Sequence, residues 1–535
     1  MTDGANPGQP ASEESIGRRT VVMATGTLLS RVTGFGKFFA LAYALGATNL
    51  SGTYQLANNT PNIIYELVLG GVLSGVLVAV FVDYLTTRSD EEAWAGINAV
   101  ISLATVVAGV MSLLFVVVAP WFIRLYTLRA EAGLADDQLA VATTLLRLFA
   151  PQVFFYGLIS LSTALLNAKR RFAAPMWAPI VNNLVTIGVL VAYPIMSSSD
   201  TLAAARGDRA ALLLLGLGTT AGVVAQAFAQ MPLRLMRAQV RWRWDPKHPA
   251  VRTIVRLSGW TIAFVAANQV ALFVVFFLAN SKPSDVAVYN FAYTIFLLPH
   301  GVIAVSVMTA VAPEISARWS LDDLPGVRHQ ISIGVRTIVA VTAPAAVGYV
   351  LLARPITSIL LEHGQLGGDD AGSIARVLLI MAIGLPAFSV FLLMTRVYQS
   401  IQETRVLFWI YVVENAVNVV FAFALYPRFG VEGLAAAFAI AYWVGTAACF
   451  VELRRRLGRL EGRTMVESAI RVAGASLAMS AAVGLIALGV GGDVGVAALI
   501  RVIAGVVVGV SVYLGAARVL GVAELNLLLP TRRHN

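Results

Sequence analysis

The 535-residue sequence contains little charge and almost no cysteine. Charged residues make up 13% of the chain and hydrophobic residues 58%, and the mean hydropathy is +0.77. A soluble protein could not keep that much apolar surface away from water. The single cysteine, Cys449, lies inside an apolar run, so there is no disulfide framework. These absences exclude ordinary soluble proteins and disulfide-stapled secreted proteins, and they predict a membrane protein.

The sequence also lacks the short motifs of nucleotide-binding proteins and metalloenzymes. It has no glycine-rich phosphate loop with its lysine, no paired-cysteine metal site and no HExxH. Its five histidines are scattered along the chain. We therefore expect no enzyme activity, no metal and no cofactor, and an ATP-driven pump is excluded at the level of this chain. The basic residues lie mostly in short loops beside apolar runs, so we expect no nucleic-acid partner.

What the sequence has in abundance is apolar runs of 20 or more residues, each long enough to cross about 30 Å of hydrocarbon. We predict an all-α polytopic membrane protein with about fourteen transmembrane helices. The predicted spans are 21–45, 55–82, 94–121, 139–167, 174–196, 210–233, 253–279, 286–312, 334–353, 374–400, 406–426, 432–452, 467–490 and 496–520.

The positive charges predict how these spans are oriented. The net charge is +10, and basic clusters occur at 18–19, 169–171, 234–256, 454–471 and 532–533. All five clusters fall on one side of the membrane if the number of spans is even. Because Lys and Arg are enriched in cytoplasmic loops, we expect a multi-pass protein of the bacterial plasma membrane with both termini in the cytoplasm.

A weak internal similarity predicts a duplication. Residues 167–194 align without gaps with 400–427, which places Asn182 on Asn415. A repeat of six spans keeps both halves in the same orientation, as in parallel-repeat transporters. It predicts two six-helix lobes around a central cavity, followed by two C-terminal helices. The predicted division is a cytoplasmic tail (1–20), a first lobe (21–233), a basic cytoplasmic loop (234–256), a second lobe (257–453), the C-terminal helices with their preceding basic loop (454–520) and a second cytoplasmic tail (521–535).

Polar side chains inside the first two spans are candidates for function. An ionised side chain at the membrane centre costs at least about 2.5–3.5 kcal/mol, so it should face protein or water. Arg31 and Lys37 lie well inside span one, and Asn59, Asn62 and Glu66 follow one face of span two. The carboxylate of Glu66 could pair with either cation, and Arg31 could snorkel to the interface. A cavity that holds these cations is the functional alternative.

Span eleven carries a second polar pair. Glu414 and Asn418 are four residues apart, which places them on one helical face. Hydrogen bonding between helices explains such a pair, and a proton or cation site for coupling is the other explanation. The neighbouring asparagines Asn58–Asn59 and Asn182–Asn183 are also typical of hydrogen bonds between helices.

Several segments together carry a resemblance to a known family. They are SRVTGFGKFFALAYALGATNLSGTYQLANNTPNIIYELVLGGVLSGVLV (30–78), LLNAKRRFAAPMWAPIVNN (165–183), FLLPHGVIAVSVMTAVAPEIS (296–316), ILLEHGQLGGDDAG (359–372) and YQSIQETRVL (398–407). These segments resemble MurJ/MviN-type lipid II flippases, which belong to the MATE-like multidrug/oligosaccharidyl-lipid/polysaccharide exporter superfamily. The resemblance extends over roughly residues 20–520.

The resemblance implies fourteen helices, two lobes that form a V-shaped cavity, and a transporter instead of an enzyme. It implies that an undecaprenyl-diphosphate-linked peptidoglycan precursor moves to the outer leaflet by alternating access, for cell-wall synthesis. Arg31 and Lys37 would then hold the diphosphate, and Asn58, Asn62 and Glu66 would border the site. The implied partners are this precursor, the membrane lipids and the cell-wall synthesis machinery.

Several positions depart from the family pattern. Gly52 and Gly70 stand where acidic residues are usual, Tyr65 and Glu66 where basic residues are usual, and Thr294 where an arginine is usual. These departures leave open a flippase for another polyprenyl-linked glycan, a MATE-like small-molecule antiporter and a cell-wall scaffold that transports nothing.

Overall fold

The computed structural model describes residues 13–67, 76–131, 133–197, 201–231 and 239–525, and this part of the chain contains helices and no strand. The all-α prediction is confirmed. The helices are α1 (Glu13–Leu45), α2 (Asn49–Tyr65), α3 (Val76–Thr87), α4 (Asp90–Thr127), α5 (Ala135–Phe149), α6 (Pro151–Ala168), α7 (Ala173–Met196), α8 (Leu202–Gly207), α9 (Arg209–Gln230), α10 (Pro249–Ala279), α11 (Pro283–Pro299), α12 (Val305–Ser320), α13 (Leu324–Leu361), α14 (Gly368–Ile383), α15 (Leu385–Ser400), α16 (Thr404–Leu457), α17 (Gly462–Gly489) and α18 (Gly495–Val519).

Within the described ranges, nine helical segments are long and apolar enough to cross a membrane, and ten if the bent pair α14–α15 forms one span. One of the nine, α16, has 54 residues, about 80 Å at 1.5 Å per residue, which exceeds two crossings of the hydrocarbon. The structure therefore describes a multi-pass membrane protein, and the total of fourteen spans stays a prediction.

Helix α16 is a helical hairpin that folds back at Gly430. This residue has φ 56° and ψ −140°, which only glycine adopts easily. A Cβ on Gly433 would lie 2.7 Å from the Leu425 carbonyl oxygen, and one on Gly445 would lie 2.9 Å from the Glu414 side chain. Because both contacts join positions on opposite sides of Gly430, the two arms run antiparallel. They correspond to the predicted spans eleven and twelve.

Four of the predicted spans are broken. Pro151 begins α6, Pro299 ends α11 and Pro386 is the second residue of α15; proline favours such breaks because it lacks an N–H donor and clashes with the preceding turn. The break after Pro299 is a π-helical turn, His300–Ala304, between α11 and α12. In span two, the α-helix gives way to a π-turn at residues 66–67, and residues 68–75, including Gly70, lie outside the described residues.

The helices form two bundles. In the N-bundle, α1 packs on α7, α7 on α9, and α2 and α4 on α5 and α6. In the C-bundle, α10 packs on α16, α13 on α12, α14 and α15, and α16 on α14 and α15. The bundles meet mainly where α2 packs on α11, with further contacts between α10 and the pair α3 and α4. The two C-terminal helices, α17 and α18, pack on each other and on α13.

The bundles are joined at the end of the molecule where α1, α4 and α10 finish. Here one hydrophobic core contains buried side chains from both bundles, among them Leu45, Val141, Ala279 and Val286. At this end, hydrogen bonds between the bundles among the described residues include those of Gln138 with Asn280 (2.6 Å), Asn280 with the Tyr126 carbonyl (3.0 Å), the Ser284 N–H with Asn49 Oδ1 (3.1 Å) and the Gln365 N–H with the Tyr43 carbonyl (3.1 Å). We call this region the closed end.

Candidate functional site

Two adjacent chambers lie where the bundles meet. The N-chamber is lined by α1, α2, α6, α7 and α9 with part of α11, and the C-chamber by α10, α11 and α16 with part of α2. Each has a volume of about 260 Å³. Asn59 on α2 and Asn290 on α11 line both chambers, so the two form a continuous polar region at the contact between the bundles.

The N-chamber is polar and contains one cation, Lys37. Lys37 is half-buried as a residue, and no ion pair among the described residues involves it. Neutral donors and acceptors surround it: Gln55, Asn58, Asn59, Asn182, Thr186, Thr219, Asn290 and Thr294. An unpaired cation among neutral hydrogen-bonding groups is suited to binding an anion.

Arg31 lies beside this region and lines neither chamber. Its Nη1 donates a hydrogen bond of 2.7 Å to the carbonyl oxygen of Gly301. That carbonyl belongs to the π-helical turn between α11 and α12, so the bond joins the N-bundle to the C-bundle. The side chain of Arg31 is exposed, and among the described residues it has no ion pair with Glu66. The structural pairing of Arg31 with Glu66 considered from the sequence is therefore not present.

The C-chamber has the opposite electrostatic character. Glu414 is 1% exposed and Asn418 is 8% exposed, and both line the chamber. Glu414 Oε2 and Asn418 Oδ1 have no hydrogen-bond partner among the described residues, and neither do Gln269 Oε1 and Asn290 Nδ2. These four unpaired polar atoms belong to residues of one chamber wall. Aromatic side chains form much of the rest: Phe276, Tyr289, Tyr293, Phe438 and Tyr442.

The structure distributes the predicted residues of α2 over both chambers. Asn58 lines the N-chamber and Asn62 lines the C-chamber, one helical turn further along α2. Glu66 is half-buried and lines neither chamber. Glu66 follows Asn62 by one helical turn, and its backbone N–H still donates to the Asn62 carbonyl. The α-helix ends at Tyr65, so Glu66 lies at the end of α2, beyond the part of the helix that lines the chambers.

Three departures from the family pattern have local environments in the structure. A Cβ on Gly52 would lie 1.6 Å from the carbonyl oxygen of Pro283 at the closed end, so no side chain fits there in this conformation. Thr294 lines the N-chamber together with Lys37. The hydroxyl of Tyr65 is hydrogen-bonded to Ser160 on α6.

Sequence reasoning missed the contribution of α10 and α11. Asn268, Gln269 and Asn290 line the C-chamber, as do Tyr289 and Tyr293. A signal was present, because amide side chains are uncommon within apolar runs such as 262–279. What the sequence did not contain was the contact between α2 and α11, which brings these side chains to one place. The repeat alignment had paired Asn182 with Asn415, and the structure puts one in each chamber.

The arrangement is that of a binding cavity. Among the described residues no group of three His, Cys, Asp or Glu side chains comes together as a metal site. The polar groups of the N-chamber converge on space large enough for a ligand. Such a cavity between two bundles is typical of a transporter that works by rocking the bundles against each other.

Comparison with known proteins identifies the family. The family model described as "Lipid II flippase MurJ" matches residues 41–502. A probable lipid II flippase MurJ of Rhizobium tropici is 25% identical over 85% of this chain and 86% of its own length. The probable lipid II flippase MurJ of Thermotoga maritima is 24% identical over 97% of this chain and 99% of its own length.

Solved structures agree in fold. The structure of lipid II flippase MurJ in an inward closed conformation superposes with a TM-score of 0.77, at 19% identity, over 95% of this chain and all of that one. An inward-facing MATE family multidrug transporter gives a TM-score of 0.66 at 13% identity, over 83% of this chain and 99% of that one. An outward-facing MATE family transporter gives 0.55 at 14% identity, over 84% and 96%.

The family model covers most of the chain, and the relatives and the fold agree with it. The protein is therefore a multi-pass inner-membrane transporter and not an enzyme. The chain belongs to the lipid II flippase MurJ family.

Proposed function

We propose that this chain carries lipid II, the polyprenyl-diphosphate-linked peptidoglycan precursor, from the cytoplasmic to the outer leaflet by alternating access. The observation that carries the proposal is the half-buried, unpaired Lys37 in a polar chamber at the contact between the two bundles. Family membership supports the same substrate.

The physical problem for such a transporter is the diphosphate. It carries about two negative charges, which cannot enter hydrocarbon without compensation. Lys37 supplies one positive charge, and the amides of Asn58, Asn59 and Asn182 supply neutral donors. Arg31 supplies a second positive charge when it leaves the Gly301 carbonyl. The lipid tail stays in the bilayer, so only the headgroup needs the polar cavity.

Alternating access follows from the way the bundles meet. If both termini are cytoplasmic, the closed end faces outward, and the present conformation takes up lipid II from the cytoplasmic side. The chain superposes better on the inward-facing than on the outward-facing MATE transporter, with TM-scores of 0.66 and 0.55, which supports an inward-facing conformation. Rocking of the bundles would break the closed-end hydrogen bonds and the Arg31–Gly301 bond, and would expose the chambers outward. In this scheme residues 21–233 and 257–453 are the moving lobes.

A further part of the proposal concerns what drives transport. The sequence has no nucleotide-binding motif, so the step would use the membrane potential, an ion gradient or consumption of the product. Cell-wall synthesis enzymes at the outer leaflet are the partners that would consume it. Glu414 and Asn418 are the residues that the sequence suggested for ion coupling, and both line the C-chamber.

The decisive experiment measures flipping of lipid II by the purified chain in liposomes, together with rescue of cells depleted of their own lipid II flippase. We expect the wild type to flip and to rescue. Lys37→Gln should abolish both at an unchanged protein level, because the charge that holds the diphosphate is lost. Lys282→Gln is the matched control, since Lys282 is an exposed lysine outside both chambers.

Three outcomes would contradict the proposal. Equal rescue by Lys37→Gln would remove the substrate site from the N-chamber. Transport of an organic cation without lipid II flipping would favour the small-molecule antiporter. Rescue of cells without any flipping in liposomes would favour a scaffold.

A further inference from the structure

The C-chamber contains polar groups that binding of a diphosphate does not use. Glu414 Oε2, Asn418 Oδ1 and Gln269 Oε1 are oxygen atoms without a hydrogen-bond partner among the described residues. Glu414 and Asn418 are more than nine-tenths buried. A buried acceptor without a donor costs free energy, and a buried carboxylate costs more. Acceptors held unpaired in the wall of an open chamber indicate a ligand that donates hydrogen bonds.

The composition of the wall specifies the ligand further. Three of the four unpaired atoms are oxygens, one of them from a carboxylate, and they favour a cationic donor; the fourth, Asn290 Nδ2, is a donor on the wall that the two chambers share. Tyr289, Tyr293 and Tyr442 line the same space, and aromatic faces attract organic ammonium groups. The volume of about 260 Å³ is far larger than a bare metal ion needs. Among the described residues no cluster of acidic side chains supplies the six or more oxygens that hard divalent cations require.

The two chambers are complementary to a molecule with charges of both signs. Lys37 lies in the N-chamber, Glu414 lies in the C-chamber, and Asn59 and Asn290 belong to the walls of both. A single headgroup with an anionic diphosphate and a primary amine can therefore contact both chambers at once. A diphosphate alone would leave the C-chamber acceptors unpaired.

We propose that the C-chamber binds a primary ammonium group on the peptide portion of the transported molecule, with Glu414 as its counter-ion. This inference rests on the proposed function, because it takes the diphosphate to occupy the N-chamber. It makes the protein selective for substrates in which this amine is free. The aromatic wall and the amide oxygens of Asn418 and Gln269 complete the ammonium site.

The test is a binding measurement with two forms of one substrate. The full-length protein in lipid nanodiscs is titrated with lipid II whose stem peptide has a free lysine side-chain amine, and with the same lipid II acetylated at that amine. We expect acetylation to weaken binding to the wild type by about ten-fold or more, because a charge-assisted hydrogen bond to a buried carboxylate is lost. In Glu414→Gln the two forms should bind within about two-fold of each other.

Further variants separate binding of the diphosphate in the N-chamber from binding of the ammonium group in the C-chamber. Lys37→Gln should weaken binding of both forms and preserve the ratio between them. Glu432→Gln is the matched control, because Glu432 lies on the same hairpin, pairs with Arg376 at 2.5 Å and lines neither chamber. It should preserve both affinities. If Glu414→Gln does not fold, Asn418→Leu provides the second test. It should reduce the ratio of the affinities for the free-amine and the acetylated lipid II.

The outcomes distinguish this inference from the proposed function. If the wild type binds both forms of lipid II equally well, the ammonium site is wrong while the flippase proposal stands. If sodium in place of choline changes the affinity and acetylation does not, the chamber is an inorganic cation site and the inference is overturned. If neither form of lipid II binds, the proposed function itself fails.

Discussion

Gly52→Ala should open the closed end of the molecule. In the structure a Cβ at this position would lie 1.6 Å from the carbonyl oxygen of Pro283, whereas ordinary contacts begin at 3.4 Å. The obstructing atom belongs to the backbone, so no side-chain rotation relieves the clash. Helices α2 and α11 must therefore separate by about 1.8 Å. That movement also breaks the 3.1 Å hydrogen bond from the Ser284 N–H to Asn49 Oδ1.

The free-energy cost of Gly52→Ala to the closed form is the sum of the clash and of the lost hydrogen bond. Overpacking typically costs about 1–3 kcal/mol, and a lost hydrogen bond adds about 0.5–1.5 kcal/mol. A total of about 1.5–4.5 kcal/mol shifts the equilibrium between closed and open forms by about 10- to 2,000-fold. The substitution acts on a contact that exists only while the bundles are joined at this end. The open form itself should be affected little.

The assay uses the reactivity of one introduced cysteine. Cys449, the only native cysteine, is replaced by alanine, and Ser51→Cys is introduced next to Gly52, where the native side chain is fully buried. We expect Gly52→Ala to raise the rate of maleimide labelling at position 51 by at least about ten-fold. Gly188→Ala is the control, because a Cβ there meets no atom within 4 Å. Unchanged labelling in a well-folded Gly52→Ala protein would refute the reasoning.

Three other substitutions test different parts of the structure. Lys37→Arg should retain part of the flipping activity that Lys37→Gln loses, because the charge is kept, and the liposome assay measures the difference. Glu524→Leu should lower the free energy of unfolding by about 3–5 kcal/mol, because it leaves the half-buried guanidinium of Arg336 without the buried carboxylate that is 2.7 Å away; the exposed Glu467→Leu should change the thermal stability little. Gly430→Ala should cost about 1–3 kcal/mol from its backbone conformation alone, since a Cβ there meets nothing within 4 Å. Equal melting temperatures for wild type and either destabilising variant would contradict these assignments.

The sequence identified several residues of the candidate site, but it did not show which of them come together in space. Arg31, Lys37 and Glu414 stood out because charge inside an apolar run is costly and needs a compensating environment. Their partners come from helices distant in sequence, so periodicity could not supply them. From the sequence, Arg31 was considered as a partner of Glu66, 35 residues further along the chain. In the structure it instead contacts the carbonyl of Gly301, 270 residues further along.

The sequence by itself determined that this is an all-α membrane protein, because long apolar runs with few charges have no other stable arrangement in a bilayer. The sequence also indicated the family, because five segments between residues 30 and 407 resemble it. Only the tertiary structure decided that Asn58 and Asn62 line different chambers and that Lys37 and Glu414 lie in the two parts of one polar region. The physical reason is that α2 packs on α11, a contact between bundles that no local pattern specifies.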